Sequence, residues 1–242
     1  MLFIVMHRIN AEIDAGGPPR KDLVENMGQL IGDTIKAGRF HDGAGLKGRG
    51  ERVRLKFSGG KRTVEKGPYR GTNELVANFA TLKVKSMDEA VEWASRYAEA
   101  LGAAEVEVGP VNEPWDIGVA PKPTGEVPLR VLVLKMSDAA SESSSARSPE
   151  VAVKLNAVFD DMKRAGVFLG AEGLKPSATG SRLQAVGGKH TWTDGPFAES
   201  KELVSGYSII KADSKQEAIE WATRYANILG DIELDVREVY EG

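Results

Sequence analysis

The sequence predicts an α+β protein built from two copies of one unit packed sheet against sheet, and three observations carry that prediction. First, 242 residues suffice for one large domain or for two of about 100 to 120. Second, the chain repeats itself. Shifted by 128 positions, "GPYRGTNELVANFATLKVKSMDEAVEWASRYAEALGAAEVEVGPV" from Gly67 lies on "GPFAESKELVSGYSIIKADSKQEAIEWATRYANILGDIELDVREV" from Gly195. Third, each copy alternates short apolar strands with two amphipathic helices, and a period this long means two domains and not a solenoid, whose repeats run about 20 to 50 residues.

The register holds upstream without a gap. Phe3-Ile4-Val5 meets Val131-Leu132-Val133, and Gly45-Leu46-Lys47 meets Gly173-Leu174-Lys175. Between the copies, "NEPWDIGVAPKPTGEVP" carries Pro114, Pro121, Pro123 and Pro128, the composition of a semi-stiff extended linker. The expected organisation is a first, degenerate copy over residues 1–111, a linker over 112–128 and a second copy over 129–242.

The elements follow in order from the second copy. "PLRVLVLKM" is a buried strand, and the serine-rich "SDAASESSSARSP" is expected to be mobile. Val151, Leu155, Val158, Phe159 and Met162 recur at helical spacing up to the stop at Gly166. "VFLGAEGL", "SRLQAVGG" and "KHTWT" are short strands, the last two joined at Gly187-Gly188, and "ELVSGYSIIKA" is a longer one. Ser214 and Glu217 form a capping box ahead of a helix with Ala218, Trp221, Ala222, Tyr225 and Leu229 on its buried face, and "IELDVREV" alternates as a final strand. The order β-α-β-(hairpin)-β-α-β is the split βαβ, or ferredoxin-like, pattern. Its uncovered sheet face needs a cover, and the linked second copy supplies one. The expected architecture is therefore an intrachain pseudo-dimeric α/β barrel.

Composition narrows function by exclusion. Hydrophobic residues at 41% and charged ones at 28% are those of a soluble globular protein, and a net charge of -3 from 32 basic and 35 acidic residues gives no basis for broad nucleic-acid binding. The basic run Lys47 to Lys66 is expected to be the solvated face of a hairpin. With no cysteine, disulfides and thiolate chemistry are excluded. "MLFIVMHRIN" lacks the features of a leader or a membrane span, so a first strand and a cytoplasmic location are expected. The Gly59-Gly60 and Gly187-Gly188 pairs are hairpin turns outside any phosphate-binding motif, and no metal or cofactor is expected.

"TWTDGPFAESKELVSGYSIIKADSKQEAIEWA", with "AGVFLGAEGLKPSATGSRL" before it, resembles the YCII-related, DGPF-domain proteins across residues 129–240. The resemblance implies a ferredoxin-like fold that forms dimeric α/β barrels, here with both halves in one chain. Most of that family has no assigned activity. Some members resemble enzymes with a His-Asp pair acting on small cyclic chlorinated aromatics, and others resemble neighbours of alternative sigma factors.

The candidate site residues gather around the DGPF turn. Asp194 can cap the turn through backbone N–H groups, or stand as a carboxylate at a pocket mouth. The first copy has Lys66 at that position, so only one of two sites could use it. On a strand His190, Trp192 and Asp194 share a face, which makes His190 the nearest histidine partner. His41-Asp42, with Asp33, and His7 at the end of the first strand are the alternatives in the first copy. Trp192, Phe197, Tyr207, Tyr69 and Phe79 are the aromatic candidates for a binding surface. Three functions stay open: a small-molecule-binding barrel, an enzyme doing His-Asp proton transfer or elimination on a small cyclic substrate, and a non-enzymatic regulatory partner of a sigma factor. Further homo-oligomerisation is compatible with each.

Overall fold

The computed structural model describes residues 1–14, 19–71, 73–143, 148–197 and 200–240. In the N-terminal half the strands are β1 (Leu2–Arg8), β2 (Phe40–Gly45), β3 (Val53–Ser58), β4 (Lys61–Lys66), β5 (Val76–Val84) and β6 (Glu105–Pro110). The helices of that half are α1 (Ala11–Asp14), α2 (Lys21–Lys36) and α3 (Met87–Leu101). The C-terminal half has β7 (Leu129–Met136), β8 (Phe168–Gly173), β9 (Ser181–Val186), β10 (Lys189–Asp194), β11 (Val204–Lys211) and β12 (Ile232–Glu238), with α4 (Ala139–Glu142), α5 (Pro149–Arg164) and α6 (Lys215–Leu229). Each helix begins 128 residues after its counterpart.

The described residues form two six-stranded sheets of antiparallel pairs, ordered β10-β9-β12-β1-β11-β2 and β4-β3-β6-β7-β5-β8. Two packed sheets in an α+β protein are what the sequence predicts, but the strands are shared out differently from two self-contained units. β1 and β2 join the sheet of the C-terminal half, and β7 and β8 join that of the N-terminal half. The exchange has a physical origin in the strand itself. β1 is apolar on both faces, sending Phe3 and Val5 to the helices and Ile4 and Met6 to the opposite sheet, so it must be a central strand. Either half offers a matching gap, and periodicity cannot say which one it fills.

Three apolar layers result. Ile4, Met6, Phe79, Leu132, Leu134, Tyr207 and Ile209 fill the space between the sheets. α3 and α5 cover the outer face of one sheet, where Leu55, Leu82, Tyr97, Val133 and Met162 are buried, while α2 and α6 cover the other. Bridges at Leu46–Val111 and Leu174–Val239 tie the sheets together at two corners.

The basic run is not all solvated. β3 sends Val53 and Leu55 toward the helices and Arg52 and Arg54 between the sheets, where both are 1% exposed. Arg52 meets Glu107 at 2.9 Å, and Arg54 meets Glu74 at 2.9 Å and Glu107 at 3.2 Å. Alternation was read correctly, but the inward side faces carboxylates and not water. Across the pseudo-repeat the pair Arg54–Glu107 recurs as Arg182–Asp235, at 2.6 Å. Arg52 recurs in contacts but not in position. Its Nε donates to Lys47 O at 2.8 Å and its Nη1 to Val204 O at 2.6 Å, while in the other half Arg237 reaches Lys175 O and Val76 O. Gly180 stands where Arg52 would be repeated, and a Cβ there would lie 2.9 Å from Arg237 Cγ.

Three local expectations change. Part of the serine-rich segment is ordered as α4, whose capping residue Asp138 accepts Ser141 N–H at 2.8 Å; residues 144–147 lie outside the described residues. Glu217 N–H donates to Ser214 Oγ at 3.2 Å as a capping box requires, but the Glu217 carboxylate takes Asp213 N–H, at 2.8 Å, one residue before the cap. The linker is not simply extended: residues 114–118 turn back on themselves, and Asn112 Nδ2 donates to Leu46 O at 3.2 Å. Among the described residues no helix is long and apolar enough to cross a membrane.

Candidate functional site

The DGPF turn is a corner of the fold. A Cβ on Gly195 would sit 1.8 Å from Ser177 O, and one on Gly67, its counterpart, 1.8 Å from Arg49 O. Only glycine fits either place. The Gly67-Pro68 and Gly195-Pro196 bonds are both cis. The aromatics that follow are also equivalent: Arg54 lies over the Tyr69 ring at 4.3 Å and Arg182 over the Phe197 ring at 4.7 Å, cation–π contacts that seal the ends of the inter-sheet layer.

Asp194 does not meet a histidine. Its Oδ1 accepts from Ser181 Oγ at 2.6 Å and Lys215 Nζ at 2.8 Å, the latter in the first turn of α6, and these partners hold its carboxyl below the ordinary range. His190 is half-buried on β10 opposite Ala185, and Trp192 packs on the cluster under α6. Phe79 and Tyr207 are brought together between the sheets with ring centroids 5.0 Å apart. Tyr207 Oη donates to Asp42 Oδ2 at 2.6 Å, and burial followed by that carboxylate pushes the phenol pKa up. His41 is exposed on β2, and Asp33 is exposed and pairs with Lys36 at 3.4 Å.

A concave feature lies elsewhere. A cavity of about 800 Å³ opens between α2 and the outer face of β1, β11 and β2. That volume falls in the range of small-molecule sites, about 300 to 1,000 Å³. His7 forms part of its floor, Leu23, Met27 and Ile31 of α2 its roof, and Asn112, Asp116, Ile117 and Val119 of the linker part of its rim. The C-terminal end of α2 is anchored: Trp221 Nε1 donates to Thr34 Oγ1 at 2.9 Å, and Thr34 Oγ1 donates to Leu30 O at 2.7 Å.

His7 is the one histidine candidate that lines this cavity. Its Nδ1 is 2.9 Å from Tyr225 Oη. Burial first, then the positive charges of Arg8 and Arg52, push its pKa down to about 3, so the ring is neutral through the physiological range. Burial pushes the Tyr225 pKa up, which keeps the phenol protonated, and the Ser208 hydroxyl bears on the same oxygen. A phenol that receives from Ser208 donates to Nδ1, and the imidazole proton then resides on Nε2. Gly206, opposite His7 in the β1–β11 ladder, makes the room: a Cβ there would come within 2.6 Å of His7 Cε1.

Sequence inspection names His7 and Tyr207 as candidates without locating this cavity, and does not name Tyr225, Ser208, Gly206 or the linker. Tyr225 reads as an ordinary core position on a helix. The available signal was the offset: Gly206 replaces Asn78, Ile31 replaces Phe159 and Thr34 replaces Met162, smaller residues all falling on one side. Among the described residues, no three histidine or carboxylate side chains converge as a metal site.

The fold and the cavity together define a two-sheet α+β protein with a helix-roofed pocket on one outer face. Residues 130–239 match the family model of the YCII-related domain. No curated protein and no solved structure matches the chain.

Proposed function

We propose that the protein binds a small organic molecule in the cavity between α2 and the β1–β11–β2 face. One observation carries this: a cavity of about 800 Å³ with an apolar roof and a buried, oriented His7–Tyr225 pair at its floor. Unpacked apolar space of this size costs stability, so its retention points to a use. In this proposal the chain is a fused tandem of two DGPF-type, ferredoxin-like copies in the cytoplasm, of which one outer face has kept a pocket. This pocket is distinct from the one expected beside residues 190–197, where a smaller hollow of about 310 Å³ is lined by Pro196 and Phe197.

The methionines allow an internal control. Met27 lines the cavity and Met162 is buried under α5 on the other sheet. In a chain labelled with ¹³C at methionine methyls, naphthalene-sized fragments will shift the Met27 resonance and leave Met162 in place. Fragments that shift neither, or both alike, would remove the proposal.

A further inference from the structure

Resting on that binding function, we infer that the cavity selects uncharged carbonyl compounds with an apolar, ring-sized body, the carbonyl oxygen accepting the Nε2–H of His7. The floor supplies the first half of the argument. Tyr225 occupies Nδ1, which leaves Nε2 as the ring's free donor. A ligand whose inner end is a donor, such as an ammonium or an alkyl amine, would meet a donor, and a purely hydrocarbon end would leave a desolvated N–H without a partner.

Charge supplies the second half. Lys47 is the cationic lining side chain, and it is already shared between Glu51 at 3.6 Å and Asp116 at 3.5 Å. Arg8 is not available to the cavity: it is 1% exposed and bonded at 2.5 Å to Asp235. A carboxylate seated over His7 would be a buried charge with no ion partner, which is costly, whereas a carbonyl carries its partial charge at small desolvation penalty. Leu23, Met27, Ile31 and Leu229 provide the wall for the apolar body.

The test uses the full chain and three compounds of one shape: 2-acetylnaphthalene, 2-methylnaphthalene and 2-naphthoate. The Met27 methyl reports site occupancy. The acetyl compound will bind about tenfold more tightly than the methyl compound, the margin of one hydrogen bond made in a dry site, and at least as far ahead of the naphthoate. His7→Leu will bring the acetyl compound to the affinity of the methyl compound. A second measurement needs no variant: ¹⁵N spectra of wild-type imidazoles will show His7 as the Nε2-protonated tautomer near neutral pH, with the Nε2 resonance moving when the acetyl compound is added. Equal binding of acetyl and methyl compounds, a preference for naphthoate, or an Nδ1-protonated His7 would overturn the inference while leaving a binding cavity. If none of the three compounds shifts Met27, the binding function itself falls.

Discussion

The two helix-covered faces of this molecule share one backbone plan and differ in what fills them. Under α5, Phe159 packs against Tyr97 at 6.0 Å and Phe168 at 5.0 Å, with Leu155 and Met162 buried beside them. Under α2 the positions 128 residues earlier are Met27, Ile31 and Thr34, and a cavity remains. The two helix tyrosines show the same divergence. Tyr97 Oη donates to Asn78 Oδ1 at 2.8 Å, while Tyr225, with Gly206 in place of that asparagine, turns to His7. Lys135 stands where His7 would be repeated and is spent on Asp138 at 2.6 Å. Two faces with the same order of elements thus differ in whether a pocket is present, through a few differences of side-chain volume.

The largest effects should fall where the faces are alike. Glu107 and Asp235 occupy equivalent positions, 128 residues apart, in the inter-sheet charge layer, and Glu107→Ala or Asp235→Ala takes a close carboxylate partner from buried arginines, for a loss of about 3 kcal/mol in denaturant unfolding. Near-equal losses are expected, and a large inequality would mean that the two sheets are not equivalent inside.

Next come the substitutions that separate the faces. Met162→Ala opens a void in the filled face and should cost about 3 kcal/mol, whereas Ile31→Ala, which enlarges an existing cavity, should cost nearer about 1 kcal/mol. Chemical denaturation of the pair gives the ratio directly.

Acid should also distinguish the faces. His7 binds its proton near pH 3 when folded and near its ordinary value when unfolded, so the unfolded chain takes up protons first as pH falls. Stability is fully present above about pH 6.5 and declines from there toward about pH 3, by up to about 5 kcal/mol. Asp235 adds to the loss lower in the acid range: burial alone would raise its pKa, but Arg8 and Arg182 hold it below the ordinary carboxylate value. In His7→Leu the decline above about pH 4 should flatten, and a slope unchanged there would assign it to other groups.

Much of this was legible in the sequence, for reasons particular residues make plain. The Ser214 helix start and the Gly-Pro-aromatic corners are local signals, and both are found in the structure. The exchange of β1 and β7 between sheets was not legible, because two equivalent gaps accept the same apolar strand. Arg52 and Arg54 looked like surface charge because their partners Glu74 and Glu107 are remote in sequence. The cavity was hidden for a related reason: its roof, floor and rim come from elements remote in sequence, and only an offset such as Ile31 for Phe159 hints at the lost volume. Asp194 drew attention as the chemical residue of a conspicuous motif, yet it pins the hairpin to α6 through Lys215.

The smallest stability effect should accompany the sharpest functional one. Gly28 of α2 lines the cavity, and a Cβ placed there meets nothing within 4 Å. Gly28→Phe fills space that is already open and gains roughly half a kcal/mol of helix propensity. The decisive measurement is therefore the thermal midpoint and the affinity for 2-acetylnaphthalene of Gly28→Phe beside the wild-type chain. A midpoint held or slightly raised, with binding weakened at least tenfold, is the predicted result. Unchanged affinity with the same Met27 response would contradict the assignment of the cavity under α2 as the binding site.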